Sequence, residues 1–225
     1  AMPVHVFFHG GYWQAMDKAD FSFVANATRG EDTLCVVVNY ALIPQLDMDT
    51  LVAQCRRALI WLWHHVAEFG GDPERIVVSG HSAGGHLVAM MAATDWPAME
   101  PAFPRDLVKH GLSISGLMDL DPIRLCYLND VLGLDADRAR RNSPITLDNT
   151  SNSNLLCVLG DREGEEYLRQ SDSLAARWDN TTCDLLSDHD HFSIVMELDD
   201  PDSELSRIVR TLLACDREEA GPAQH

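Results

Sequence analysis

The chain is expected to be an α/β protein, a mostly parallel sheet with helices on both faces. Three observations predict this. Six short runs of nearly unbroken apolar residues lie at 4–8, 34–39, 75–79, 112–115, 155–159 and 182–187. A strand buried on both faces reads this way, because neither side can be polar. Stretches of helical periodicity separate the runs, and strands alternating with helices pack as a parallel sheet between helical layers. The length of 225 residues suits a single domain with a sizeable core.

The helical stretch at 49–69 carries Leu51, Cys55, Ala58, Leu59, Leu62 and Val66 on one face. Asp47 or Asp49 can cap its start, and Gly70-Gly71 ends it. Further helices are expected over 85–94, 163–178 and 203–215. Two stretches are less regular. One, at 95–110, carries Pro97, Pro101 and Pro104; the other, at 119–145, is broken by Gly133 and Pro144. Both are expected to form a small cap on one side of the sheet. The domain is expected to span 1–216, with 217–225 a disordered tail.

Apolar residues make up 46% of the chain and charged residues 23%, as in soluble globular proteins. The formal net charge of -18 disfavours phosphate backbones and anionic lipid, so neither nucleic acid nor membrane is an expected partner. No apolar stretch is long enough to span a bilayer. Six cysteines are scattered, without a Cys-x-x-Cys pair. Cys35, Cys157, Cys183 and Cys215 fall in apolar runs, where buried reduced thiols are expected. With no basic-then-apolar leader in the opening residues, a cytoplasmic location is the expectation.

The run 75–79 passes directly into Gly80-His81-Ser82-Ala83-Gly84-Gly85 and then a helical segment. Strand, sharp turn and helix with serine at the apex is the nucleophile-elbow pattern. Its glycines admit a turn too tight for side chains, and the serine hydroxyl projects off the end of the sheet. The plainer alternative is a glycine-rich turn. Other strand ends decide between them, since functional groups in such sheets gather there.

The first run ends in His9-Gly10-Gly11-Tyr12-Trp13. Adjacent glycines let the backbone approach a ligand, so the N–H groups of Gly10, Gly11 and Ala83 are candidate donors to an oxyanion. Tyr12 and Trp13 are candidate substrate-binding residues. The last run is followed by Ser187-Asp188-His189-Asp190-His191-Phe192, in which His191 is the leading base and His189 the second. A metal site from Asp188, His189, Asp190 and His191 is an alternative, though adjacent side chains rarely converge on one ion. His64 and His65 lie on a helix and read as structural. The fifth run ends in Gly160-Asp161-Arg162-Glu163-Gly164-Glu165-Glu166, and a carboxylate here would orient the base. Composition does not choose among the four acids.

Together, His9-Gly10-Gly11-Tyr12-Trp13, Gly80-His81-Ser82-Ala83-Gly84-Gly85-His86-Leu87 and His191-Phe192 resemble the α/β-hydrolase superfamily. Within it they are most similar to the branch of kynurenine formamidases (arylformamidases) and hormone-sensitive-lipase-like esterases. In that family an acid precedes a Glu-Phe-x-Arg-Gln-Ser stretch by a fixed offset. Matching Arg169-Gln170-Ser171 to it implies Glu163 as the triad acid, although most relatives have Asp there; Asp161 is the alternative. The resemblance implies catalysis by Ser82, Glu163 and His191, no cofactor and no metal, and a small ester or formamide as substrate. The expected activity is cleavage of short-acyl carboxylic esters or aryl formamides through an acyl-enzyme. Alternatives are an N-formylkynurenine-specific formamidase and a catalytically weak small-molecule-binding protein of the same fold. Relatives also carry two strands before the His-Gly-Gly strand, where this sequence has eight residues. The N-terminal strands are thus expected to be missing, leaving Val36-Val37-Val38 on an unpaired apolar edge and favouring a homodimer through it.

Overall fold

The computed structural model describes residues 1–219. All six apolar runs become strands: β1 (Met2–Phe8), β2 (Leu34–Val38), β3 (Gly71–His81), β4 (His110–Ile114), β5 (Asn154–Gly160) and β6 (Thr181–Leu186). They form one sheet in the order β2-β1-β3-β4-β5-β6, every neighbouring pair parallel. Side chains alternate between the faces, as the two-residue strand period requires. Val4, Val6 and Phe8 of β1 join Ile76 and Val78 of β3 in the core on one side. Phe7, Val77, Leu112 and Val158 form the core on the other.

The helices are α1 (Met48–His65), α2 (Ala83–Ala92), α3 (Trp96–Met99), α4 (Asp121–Arg124), α5 (Asn129–Leu132), α6 (Ala136–Arg141), α7 (Glu165–Ala175), α8 (Ser193–Met196) and α9 (Glu204–Glu219). Leu51, Cys55, Leu59 and Leu62 of α1, Leu87, Val88, Met90 and Met91 of α2 and Leu174 of α7 cover the first face. The second is covered by Leu205, Val209 and Leu213 of α9, by Ile194 and Val195 of α8, and by Phe21 and Val24 of a 3₁₀ segment, Lys18–Thr28. That segment was not anticipated. Its start was legible: Asp17 caps it and Asp20 returns the bond to the Asp17 N–H, a reciprocal capping box.

Of the two cap candidates for α1, Asp47 takes the role, accepting from the Thr50 N–H at 2.9 Å. Asp49 instead accepts from Arg141 at 2.6 and 2.9 Å and from Asn142 at 2.7 Å, tying α1 to the end of α6. These contacts hold the Asp49 carboxyl at about 2.

The tail expectation is corrected in part. α9 continues through Arg217 to Glu219, and the remainder of 217–225 lies outside the described residues. Cys157 is buried as expected, and so is Cys55; Cys35 and Cys183 are half-buried, and Cys215 is exposed. At the end of α1, exposed His64 faces Glu100 at 3.3 Å and half-buried His65 faces Glu68 at 2.8 Å. β2 lies at the sheet edge, and among the described residues no strand pairs with its outer side.

Candidate active site

Five adjacent strands deliver the site at their carboxyl ends. β3 ends at His81, and Ser82 sits at the apex with φ 57° and ψ -117°, a conformation side chains normally avoid. Close packing maintains it. A methyl group on Gly84 would be driven into the carbonyl oxygen of Phe8, and one on Gly80 would lie 2.5 Å from the Gly84 carbonyl carbon. Only glycines at both positions let β3 and α2 fold this close to β1. The Ser82 N–H is anchored to the Ile114 carbonyl at 2.8 Å, and Ser82 is 3% exposed.

The Ser82 hydroxyl lies 3.0 Å from Nε2 of His191. Nδ1 of His191 lies 2.7 Å from Oε2 of Glu163. The other carboxylate oxygen accepts from the Ser115 hydroxyl at 2.6 Å and the Gly160 N–H at 2.7 Å. Burial works to raise the Glu163 pKa, but the hydrogen bonds from His191, Ser115 and Gly160 outweigh it, and the net shift is downward. The carboxylate is therefore ionised at neutral pH, and the imidazole carries its proton on Nδ1, leaving Nε2 to accept from serine.

The other acids point elsewhere. Asp161 is exposed, and its Oδ1 accepts from the Asp188 N–H at 2.8 Å, bracing the turn after β6. Glu166 accepts from Arg169 at 2.7 Å and Gln170 at 2.9 Å. Gln170 is buried and accepts from the N–H groups of Met118 and Asp119, so the Arg-Gln-Ser stretch ties α7 to the loop after β4. Glu163 reaches His191 because its side chain folds back over the end of β5, where it accepts from the Gly160 N–H.

The residues after β6 do not converge. Asp188 pairs with Arg162. His189 faces Glu197 at 3.5 Å. Asp190 accepts from the N–H groups of Phe192 and Ser193. Only His191 faces Ser82.

Gly10 and Gly11 border the serine. A methyl group on Gly10 would sit 3.4 Å from the Ser82 Cβ, and Gly11 adopts φ +103°, which glycine tolerates without strain. Among the described residues no acceptor takes the N–H groups of Gly10, Gly11 or Ala83. Tyr12 lines the cavity beside Ser82. Trp13 does not, contrary to expectation. It is fully buried, and its Nε1–H donates to Nδ1 of His86 at 3.2 Å, while Nε2 of His86 bonds the Asn142 carbonyl at 2.7 Å. Tyr12 and Trp13 both take positive φ, and their rings meet edge to face at 6.5 Å, with the indole on the core side.

The cavity over Ser82 has a volume of about 440 Å³ and includes Met16, Phe21, Phe23, Phe192 and Met196. The 3₁₀ segment and α8 build its walls. The stretches 95–110 and 119–145, expected as a cap, contribute no lining residue. The first lies at the opposite end of the sheet: α2 carries the chain back to where β4 begins, and Phe103 packs on Trp63 near the end of α1. The second packs against α1 through Arg138 and Arg141.

Two residues of the site escaped sequence reading. His81 donates from Nε2 to the His191 carbonyl at 2.7 Å, and Ser115 steadies Glu163 from the end of β4. The elbow pattern leaves the residue before serine unspecified. Ser115 carried one signal, its place immediately after a strand.

Residues 5–154 match the family model described as alpha/beta hydrolase fold. The chain belongs to that family, and its fold is the α/β-hydrolase fold. Among curated proteins it is 29% identical to a kynurenine formamidase of Danio rerio, over 94% of this chain and 73% of the relative. It is 40% identical to a carboxylesterase of Mycobacterium tuberculosis over 40% of this chain and 29% of that one. Among solved structures, one from Silicibacter, provisionally assigned as a thioesterase, superposes with a TM-score of 0.79 at 30% identity, over 93% of this chain and 77% of that one. These relatives place the chain among hydrolases of the arylformamidase and esterase kind.

Proposed function

We propose that this protein is a serine hydrolase that cleaves small short-acyl carboxylic esters or aryl formamides through an acyl-enzyme. The observation that carries this reading is the line Ser82–His191–Glu163, with steps of 3.0 and 2.7 Å, at the floor of an apolar cavity. His191 Nε2 takes the hydroxyl proton as Ser82 Oγ attacks the acyl carbon. The ionised Glu163 stabilises the imidazolium that results. The carbonyl oxygen becomes an oxyanion facing the N–H groups of Gly10, Gly11 and Ala83, and each such donor is worth on the order of 3 kcal/mol. His191 then returns the proton to the leaving oxygen or nitrogen as its bond to carbon breaks. Water, deprotonated by the same imidazole, attacks the acyl-enzyme and releases Ser82.

The 440 Å³ cavity suits a monocyclic leaving group and a short acyl chain. A second reading, N-formylkynurenine as the particular substrate, is favoured by the similarity to kynurenine formamidases over nearly the whole chain. Comparing turnover of N-formylkynurenine and p-nitrophenyl acetate separates the two. Labelling by a fluorophosphonate probe tests the shared mechanism: the native protein should react and Ser82→Ala should not. Hydrolysis that survives Ser82→Ala would overturn it.

A cytoplasmic setting is supported by six unpaired cysteines, and no helix among the described residues is long and apolar enough to cross a membrane. The outer side of β2, which no strand among the described residues pairs with, supports a homodimer formed there. Concentration-dependent light scattering tests it, and a monomer at high concentration would refute it.

A further inference from the structure

The walls of the cavity over Ser82 are unequal in charge. Most of its surface is aromatic or thioether: Met16, Phe21, Phe23, Phe192 and Met196. One carboxylate, that of Asp20, lies among them. Oδ2 of Asp20 is held by the Asp17 N–H at 2.9 Å, which fixes the carboxylate at the start of the 3₁₀ segment. Among the described residues no lysine or arginine lines the cavity. Of its two histidines, His191 is engaged on both ring nitrogens, by Ser82 and by Glu163, and burial pushes His81 down to about 4. The chain as a whole carries a formal net charge of -18.

A substrate entering this space meets aromatic faces, which attract cations through their ring quadrupoles, and one fixed negative charge. A cationic group gains from both. An anionic leaving group loses water there and meets no cationic side chain, an arrangement that discriminates by leaving the wrong charge unpaired.

We propose that the cavity sorts acyl substrates by the charge of the leaving group, with Asp20 as the specificity-determining residue: aromatic leaving groups bearing a cation are favoured and anionic ones are turned away. This rests on Ser82 being the nucleophile. Asp20 acts on binding and on the approach of substrate, and does not touch the reacting atoms.

The test uses three meta-substituted phenyl acetates, those of 3-hydroxy-N,N,N-trimethylanilinium, its neutral isostere 3-tert-butylphenol, and the anionic 3-hydroxybenzoate. Each kcat/KM is divided by the rate of the same ester with hydroxide, which removes intrinsic reactivity. The cationic ester should exceed the neutral one by about tenfold at low salt, and the anionic ester should fall below it by about as much. Raising salt from about 0.02 M to about 0.5 M should shrink both ratios, because Asp20 is exposed to solvent. Asp20→Asn should bring the cation-to-neutral ratio near one, and Asp20→Lys should take it below one. Each ratio is measured within one variant, so partial misfolding cancels. A ratio of one in the native protein, or a ratio that neither Asp20 variant moves, overturns the proposal and leaves the mechanism standing. Neutral-ester hydrolysis that persists in Ser82→Ala would instead remove the nucleophile and the proposal with it.

Discussion

The Nε2–H of His81 donates to the carbonyl oxygen of His191 at 2.7 Å, and the two imidazole rings lie 4.7 Å apart. The residue preceding the serine thus grips the backbone of the residue that faces it. The bond crosses from the end of β3 to the loop after β6, which are not neighbours in the sheet. It fixes the height of the His191 loop over Ser82, where an error of an ångström is costly.

His81→Ala should therefore lower kcat by about tenfold to a hundredfold with little change in KM. His81→Gln, which keeps a donor at similar reach, should recover part of the loss. A loss confined to KM, or one that Gln does not relieve, would show that His81 serves substrate contact or packing instead.

The two acids after β5 should separate cleanly. Glu163→Gln keeps the shape but removes the charge that the proposed mechanism sets against the imidazolium, and kcat should fall by about 10²–10⁴-fold. Asp161→Asn removes only a brace on the Asp188 N–H, and kcat should stay within about threefold. Steady-state kinetics on p-nitrophenyl acetate reads both. Equal losses would point to an acid shared between them.

Trp13 is core, and its substitution should act on stability. Trp13→Phe leaves Nδ1 of the buried His86 without a donor, costing about 1–3 kcal/mol. The urea midpoint should drop, with KM for small esters little changed. A raised KM at unchanged stability would return Trp13 to the substrate side.

Acid should destabilise the fold well above the carboxylate range. Burial lowers His5, His81 and His86 from 6.5 to about 4. Between those values the unfolded chain binds protons that the native state refuses. Stability is fully present above about pH 6.5 and falls as pH drops toward 4, by up to about 1.4 kcal/mol per pH unit for each histidine. Urea unfolding from pH 7.5 to 4.5 should show a midpoint that declines steadily. A flat midpoint across that window would mean the three rings are protonated in the native state.

Much of this was legible in the sequence because it is local or periodic. Unbroken apolar runs declare strands buried on both faces. The glycines around Ser82 declare a turn that only glycine can make, since a methyl at Gly84 would occupy the space of the Phe8 carbonyl. Glu163 was legible through resemblance, by its offset from Arg169-Gln170-Ser171, and composition alone left four acids open.

What tertiary structure alone decided depends on direction in space. The sequence placed Tyr12 and Trp13 together beside the site, but the fold puts one ring at the cavity and the other in the core, bonded to His86. The irregular stretches looked like a cap, yet helix α2 returns 95–110 to the far end of the sheet, and the walls come from Lys18–Thr28 and α8. Asp20 sits in a helix cap, His81 in the elbow and Ser115 at a strand end, and none of those places gives the residue its role at the site. They matter because of what the fold brings beside them, and sequence spacing does not encode that.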